Sequence, residues 1–426
     1  MRILVLGSGG FIGRQILADL LDNRHKVVGV ARSTATLISM FPQAKFIALD
    51  LAYAVSPEDW HNHLVGVDVI VNAAGLLRGR DLDAVHVGMP KALYAAAQTA
   101  AIQRVVLISA ISARVDVETD YSVSKLAGEA ALRSADVDWT ILRPSLVYGD
   151  GSYGGTSLMR GLAGLPLFVP LPGAGDFNFT PIHVRDLART VRIACEQGLP
   201  SRQTLEPVGP ETISLKELLV RYRSWLGFAK ARFIPVPMPV MRLLGRVGDL
   251  IGNGPIASNS LTQMVAGNAG DSAAFAKAIG FMPQSLDAVL RERPAQVQDR
   301  WHARLFFMAP ALKAVLITMW LASACLGFLY GAPQTNLLVR SLGLAPEWAD
   351  PLRVGSSMID MVIAGMLIFD RSPERAALVQ LAVVLGYTAV IGFALPQLWL
   401  DPLGPLLKNL PVMLAIAVYG AIGDKR

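Results

Sequence analysis

Tyr121 and Lys125 stand four residues apart in the run Tyr121-Ser122-Val123-Ser124-Lys125, so on a helix they share one face. A cation beside a phenol favours the phenolate and draws the tyrosine toward the range where it serves as a general acid or base. A second chemical signal is Gly7-Ser8-Gly9-Gly10-Phe11-Ile12-Gly13, directly after the apolar run RILVL. In such a turn Gly7 permits the tight bend, Gly10 lets the backbone approach a pyrophosphate, and Gly13 lets helix and strand pack closely. The helix that follows turns its N-terminus toward the anion.

Other positions fit the same ligand. The run HKVVGVA leads into Arg32-Ser33, where a site selective for NAD presents an acidic residue to the ribose 2′-hydroxyl. Arg32 suits a 2′-phosphate instead, so NADP(H) is favoured over NAD(H). Asp50-Leu51 closes the next run within reach of an adenine, and Asn72-Ala73-Ala74-Gly75 supplies small residues against which a dinucleotide can lie.

These residues need a scaffold, and the sequence supplies its pattern. The short apolar runs RILVLG, HKVVGVA, DVIVNAAG, RVVLISA and DWTILRP alternate with amphipathic helical stretches. That alternation predicts an α/β fold, a Rossmann-type doubly wound parallel sheet built from right-handed crossovers. From Gly151 to about Arg304 the pattern loosens into Pro- and Gly-rich stretches and helical pieces such as LKELLVRYRSWLG, read as a small substrate lobe. The predicted domains are residues 1–230 for the dinucleotide-binding part with its lobe, 231–304 for a helical extension and linker, and 305–426 for a membrane part. Between Pro239 and Ile251, Met241, Leu243, Leu244, Val247 and Ile251 oppose Arg242 and Arg246, a pattern that fits both a membrane-surface helix and an ordinary packed one.

Apolar residues make up 53% of the chain and charged residues only 17%, and the apolar excess lies toward the C-terminus. From Leu305 onward there are eight Lys or Arg and seven Asp or Glu, which leaves +5 of the +6 net charge on the first 304 residues. Those basic residues are scattered, so no nucleic-acid footprint is expected. Four spans are predicted at Leu305–Gly331, Val354–Phe369, Ala376–Leu400 and Leu403–Gly423, together an all-α transmembrane bundle of four helices. Arg291, Arg293, Arg300, Arg304, Arg371, Arg375, Lys425 and Arg426 would lie on one side, against Arg340, Arg353 and Lys408 on the other. This bias predicts a multi-pass protein of the cytoplasmic (inner) membrane with both termini in the cytoplasm. The start MRILVLG lacks the pattern of a signal peptide, in keeping with that orientation. Asp360, inside a predicted span, needs a partner, with Lys408 or a nearby serine as candidates. Cys195 and Cys325 have neither disulfide nor metal spacing and are read as small buried residues; no metal site is expected.

The glycine turn, the NAAG run, the YxxxK pair, Arg143-Pro144-Ser145-Leu146-Val147-Tyr148-Gly149 and Pro181-Ile182-His183-Val184-Arg185-Asp186-Leu187-Ala188 together resemble the short-chain dehydrogenase/reductase superfamily. The likeness covers roughly residues 1–290 and is nearest to the extended or atypical branch that includes the 39 kDa accessory subunit of respiratory complex I. It implies that Tyr121 exchanges a proton with a substrate carbonyl or hydroxyl, that Lys125 also holds the nicotinamide ribose, and that backbone near Pro144 positions the carboxamide. The family's carbonyl-polarising Ser or Thr falls nearest Ala110 here; Ser112 would share the face of residue 110 if the strand continued, and is the expected substitute. The segment Leu398–Pro411 is similar to the DoxX-like family of small four-helix membrane domains.

Three functions fit this set. The first is a membrane-anchored NAD(P)-dependent oxidoreductase acting on an apolar carbonyl, quinone or lipid-like substrate. The second is a non-catalytic dinucleotide-binding structural or assembly protein within a membrane protein complex. The third is an NAD-dependent epimerase or dehydratase. The expected partners are the lipid bilayer and an apolar small molecule.

Overall fold

The β-branched runs near the N-terminus form strands β1 (Arg2–Leu6), β2 (Lys26–Ala31), β3 (Lys45–Ala48), β4 (Val69–Asn72), β5 (Arg104–Ile108) and β6 (Trp139–Leu142). With Gln203–Leu205 they build one seven-stranded sheet in the order Gln203–Leu205, β6, β5, β4, β1, β2, β3. Every pairing in it is parallel. The strand order reverses between β1 and β4, which opens a crevice beyond their carboxyl ends.

These facts come from a computed structural model that describes residues 1–151, 154–196, 198–251, 257–369, 372–402 and 404–423. It separates into two compact units, Met1–Ala303 and Arg304–Arg426.

Both faces of the sheet are covered, so the central strands carry continuous apolar runs such as Ile3–Leu6 and Val105–Ile108 rather than alternating with polar residues. Ile3 and Val5 pack on one side with Ile16, Leu17 and Leu20 of the helix Phe11–Asp22 and Leu187 and Val191 of the helix Val184–Cys195. Leu4 and Leu6 pack on the other side with Met89 and Leu93 of the helix Met89–Thr99 and Leu132 of the helix Asp120–Arg133. That last helix starts where Thr119 accepts a hydrogen bond from the Ser122 N–H at 3.1 Å.

A smaller lobe of two-stranded pairs follows. Val147–Tyr148 lies parallel to Ile182–His183, Phe168–Pro172 parallel to Arg232–Val236, and Asn178–Phe179 antiparallel to Ile213–Ser214. Its own core gathers Val169, Phe179, Leu218, Tyr222 and Leu286.

Among the described residues three helical stretches are long and apolar enough to cross a membrane: Val297–Tyr330, Pro346–Phe369 and Pro373–Ala394. The fourth expected span differs. It is the helix Asn409–Ile422, whose 14 residues at about 1.5 Å each fall short of a ~30 Å hydrocarbon core. Sequence placed its start at Leu403, outside the described residues, but Gly404–Lys408 form turns rather than helix. The third span also ends early, at Ala394, because Pro396 opens a separate short turn, Pro396–Trp399. Placing both termini on one side of the membrane therefore rests on the fourth helix crossing, and Arg371, Lys425 and Arg426 of the basic count lie outside the described residues.

Asp360 is buried within the second unit and accepts from the Ser323 hydroxyl at 2.5 Å and the Tyr387 hydroxyl at 3.2 Å. The serine alternative is the one realised, with Tyr387 as a partner that sequence spacing gave no means of finding. Cys325 corrects another expectation: it is exposed on its helix, whereas Cys195 is buried.

Candidate active site

At the carboxyl end of β1 the chain turns through Gly7, whose φ of +72° is left-handed backbone that favours glycine. A Cβ on Gly7 would lie 2.8 Å from the Ala73 carbonyl oxygen, and one on Gly13 would overlap the Gly7 carbonyl. Gly10 donates to the Gly7 carbonyl at 3.0 Å and caps the helix without any side-chain hydrogen bond. The turn thus keeps a bare backbone rim at a helix N-terminus, the form a pyrophosphate requires. Ser8 is turned inward, its N–H and hydroxyl both donating to the Val30 carbonyl, at 3.1 and 3.0 Å. The Phe11 ring fills the space that a side chain at Gly149 would take, 2.9 Å from that position.

Arg32 and Ser33 are exposed just beyond β2, and Ala31 lies 3.6 Å from the Cβ position of Gly9, so both residues follow directly from the glycine turn. Asp50 is exposed and accepts from the Ala52 N–H at 3.1 Å, while Leu51 is buried. Asn72 is buried and uses its carboxamide to hold the loop, accepting from the Ala74 N–H at 3.2 Å and donating to the Tyr94 hydroxyl at 3.3 Å. Pro144 is buried, with its carbonyl taken by the Ile111 N–H at 3.0 Å.

The helix Asp120–Arg133 carries Tyr121 and Lys125 to the ends of β4 and β5. Lys125 is buried, and its Nζ donates to the Ile108 carbonyl at 3.2 Å and the Ala74 carbonyl at 3.4 Å. A Cβ on Gly75 would lie 3.2 Å from that Nζ. Burial pushes the ammonium down to about 8, with Glu129 opposing. The same ammonium sits 5.9 Å over the Tyr121 ring. The expected lowering of the phenol by this ammonium gives way to burial. Burial pushes Tyr121 up to about 12 instead, so in this state the group holds its proton.

Ser112 does not lie on a continued strand. The strand stops at Ile108, so the argument from a shared strand face fails; residues 111–112 form a turn. That turn is nonetheless tied to the Tyr121 helix, because the Ser122 hydroxyl accepts from the Arg114 N–H at 3.1 Å and donates to the Arg114 carbonyl at 2.9 Å. Ser109 is committed elsewhere, donating to Glu129 at 2.6 Å.

Residues 7–162 match the NAD(P)H-binding family and residues 317–417 match the DoxX-like family. The first unit is an NAD(P)-binding Rossmann domain and the second a DoxX-like domain. The chain is similar to a ceramide reductase of Caulobacter vibrioides, 27% identical over 58% of this chain and 77% of that protein. It is also similar to subunit 9 of the NADH dehydrogenase (ubiquinone) 1 alpha subcomplex of Arabidopsis thaliana mitochondria, 26% identical over 58% of this chain and 63% of that one. Among solved structures, a Staphylococcus aureus nucleoside-diphosphate-sugar epimerase superposes with a TM-score of 0.56 at 17% identity, covering 68% of this chain and all of its own. A UDP-glucose 4-epimerase of Thermotoga maritima gives 0.52 at 16% identity over 68% of this chain and 96% of its own. At these identities the superpositions speak for the fold of the Rossmann domain alone.

Two buried groups of the Rossmann domain escaped the sequence reading. His86 lies in a short π-helical turn, Ala84–Gly88, and its ring meets the Tyr121 ring edge-on with centroids 5.7 Å apart. Its Nε2 accepts from the Leu76 N–H at 3.0 Å, which leaves the proton on Nδ1 to donate to the Ser124 hydroxyl at 2.9 Å. Ser124 in turn donates to the Tyr121 carbonyl at 3.0 Å. His86 therefore ties the loop after Gly75 to the helix of Tyr121. The second group is Glu129, fully enclosed by Ser109, Arg133 and Arg143. No spacing rule links position 86 to position 124; only Arg133, four residues after Glu129, carried a local signal.

Burial, with Lys125 adding to it, pushes His86 down to about 3. The folded protein then binds fewer protons than the unfolded chain between pH 3 and the free-histidine value of 6.5. Stability is complete above that window and is lost as the pH falls through it, by up to about 1.4 kcal/mol per pH unit. His183, pushed down to about 4 by burial, acts in the same sense. His86→Gln is expected to flatten the fall in thermal midpoint between neutral pH and pH 5; an unchanged slope would remove His86 from the acid response.

Proposed function

We propose that the chain is an NADP(H)-dependent reductase of an apolar, lipid-like carbonyl, held at the membrane by its DoxX-like domain. The observation that carries this reading is the buried Lys125 beside a protonated Tyr121, at the carboxyl ends of β4 and β5 and next to the small-residue loop Ala73–Gly75. A phenol that retains its proton serves as general acid, which is the role that carbonyl reduction needs. The bound dinucleotide would supply hydride to the carbonyl carbon. Gly7, Ser8, Gly9, Gly10, Phe11, Ile12 and Gly13 would cradle its phosphates, while Asp50, Leu51, Asn72, Ala73, Ala74, Gly75 and Pro144 would line it. Arg32, with Ser33, would receive the 2′-phosphate. Ser112 would polarise the carbonyl, its hydroxyl being free of any partner among the described residues. Likeness to a ceramide reductase puts long-chain lipid carbonyls first among the substrates to try.

The second reading, a dinucleotide-binding assembly factor, draws on the similarity to the mitochondrial subunit. The two separate in one assay. Protein reconstituted in lipid should oxidise NADPH when offered long-chain keto lipids; tight NADPH binding with no oxidation across such a panel would favour the assembly role.

Cofactor choice is tested at Arg32. Hydrogen bonds to a charged group contribute about 1.5–3 kcal/mol, so Arg32→Ala should weaken NADPH some ~10–100-fold and leave NADH unchanged. Equal weakening of both, followed by the fluorescence of the reduced nicotinamide, would assign Arg32 no part in selectivity.

A further inference from the structure

The helix Met238–Ile251 turns its apolar side away from the domain that carries it. Its inward edge is formed by Met241, Gly245 and Gly248; Gly245 is buried, and a Cβ there would lie 3.2 Å from Ser258 of the neighbouring helix. Asp249 fastens the same edge, accepting from the Ser258 N–H at 3.1 Å. On the opposite side Val240, Leu243, Leu244 and Val247 follow the i, i+3, i+4, i+7 spacing and are 45%, 60%, 47% and 41% exposed. Arg242 and Arg246 are exposed and have no carboxylate partner among the described residues. An ordinary packed helix would bury the first set, whereas within the first unit these residues stay exposed. The side chains of Leu250 and Ile251 lie outside the described residues.

We propose that this helix lies in the headgroup layer of the bilayer, with Val240, Leu243, Leu244 and Val247 in the acyl boundary and Arg242 and Arg246 on anionic phosphates. Two observations select lipid as the occupant. The same chain carries three stretches able to cross a membrane, so a bilayer is always at high effective concentration. The two unpaired arginines match anionic headgroups, whereas a second copy related by a two-fold axis would set them against themselves. The docking itself does not depend on the reductase reading.

The test uses the full chain with Cys325→Ala, since Cys325 is exposed and Cys195 is buried. Single spin labels are placed through Leu244→Cys, Val247→Cys and, as a reference on an exposed turn, Val115→Cys. The protein is reconstituted in phosphatidylcholine vesicles with and without phosphatidylglycerol, and wild-type thermal unfolding is required of each variant. Labels at 244 and 247 should be several-fold more accessible to oxygen and several-fold less to a nickel chelate than the label at 115. Arg242→Gln with Arg246→Gln should reverse part of that difference in the anionic vesicles. Aqueous accessibility at 244 and 247 in both lipids overturns the proposal. So does spin–spin broadening between copies without a gain in oxygen access, which would identify a second copy on this face.

Discussion

Tyr121→Phe is expected to lower kcat for carbonyl reduction by about 10²–10⁴, the usual contribution of a positioned general acid, while NADPH affinity stays at the wild-type level. The separation of the two effects follows from the geometry. Removing the hydroxyl takes away the proton source but leaves the ring against His86 and under Lys125, so the surrounding packing is kept. The hydroxyl has no hydrogen-bond partner among the described residues, so its loss strands nothing. Rates are read as NADPH oxidation with a long-chain keto lipid and affinity as nicotinamide fluorescence. A variant that turns over at the wild-type rate would remove Tyr121 from the chemistry.

The largest expected loss of stability belongs to Glu129→Ala. Glu129 has no exposed side-chain surface, and its carboxylate receives Ser109 at 2.6 Å, Arg133 at 2.9 Å, and two bonds from Arg143 at 2.8 and 2.6 Å. Breaking a buried pair from one side leaves its cation uncompensated, at about 3–5 kcal/mol. For a unit of this size, at about 2.1 cal/mol/K per residue, that corresponds to a fall in Tm of about 5–8 °C. Glu129→Gln keeps the shape and part of the hydrogen bonding and should lose less. It carries a second signature, because the carboxylate raises the Lys125 value that burial lowers. Any pH dependence governed by Lys125 should therefore move to lower pH in Glu129→Gln. An Ala variant that melts within about 1 °C of wild type, less than 1 kcal/mol at this size, would show the cluster to be ornamental to stability.

Local periodicity made the Rossmann sheet legible. Runs such as Ile3–Leu6 and Val105–Ile108, each after a leading arginine, are unbroken and apolar because helices cover both faces, and the Gly7–Gly13 turn falls between strand and helix as expected. The Tyr121–Lys125 pair was legible for the same reason, since four residues make one helical turn. What failed depended on contacts remote in sequence or on where an element stops. Ser112 was argued from a strand extended past its end at Ile108. The phenol shift was argued from spacing alone, which cannot say how deeply the phenol is buried. His86 had no local mark, because its meeting with Ser124 is made by the crossover between two strands. In the DoxX-like domain, hydropathy found the apolar stretches but not their ends, which proline and turns decide.

The polar pairs of that domain act as indexing pins. Ser323 and Tyr387 on Asp360, and the Trp320 indole N–H on Gln380 at 2.9 Å, join three different helices at two heights. A seam of Leu, Val and Ala is nearly indifferent to sliding by one turn when the solvent is itself hydrocarbon. A slide of ~5.4 Å would pull every pin from its socket at once, so of the many alignments that apolar packing tolerates only one keeps them all engaged.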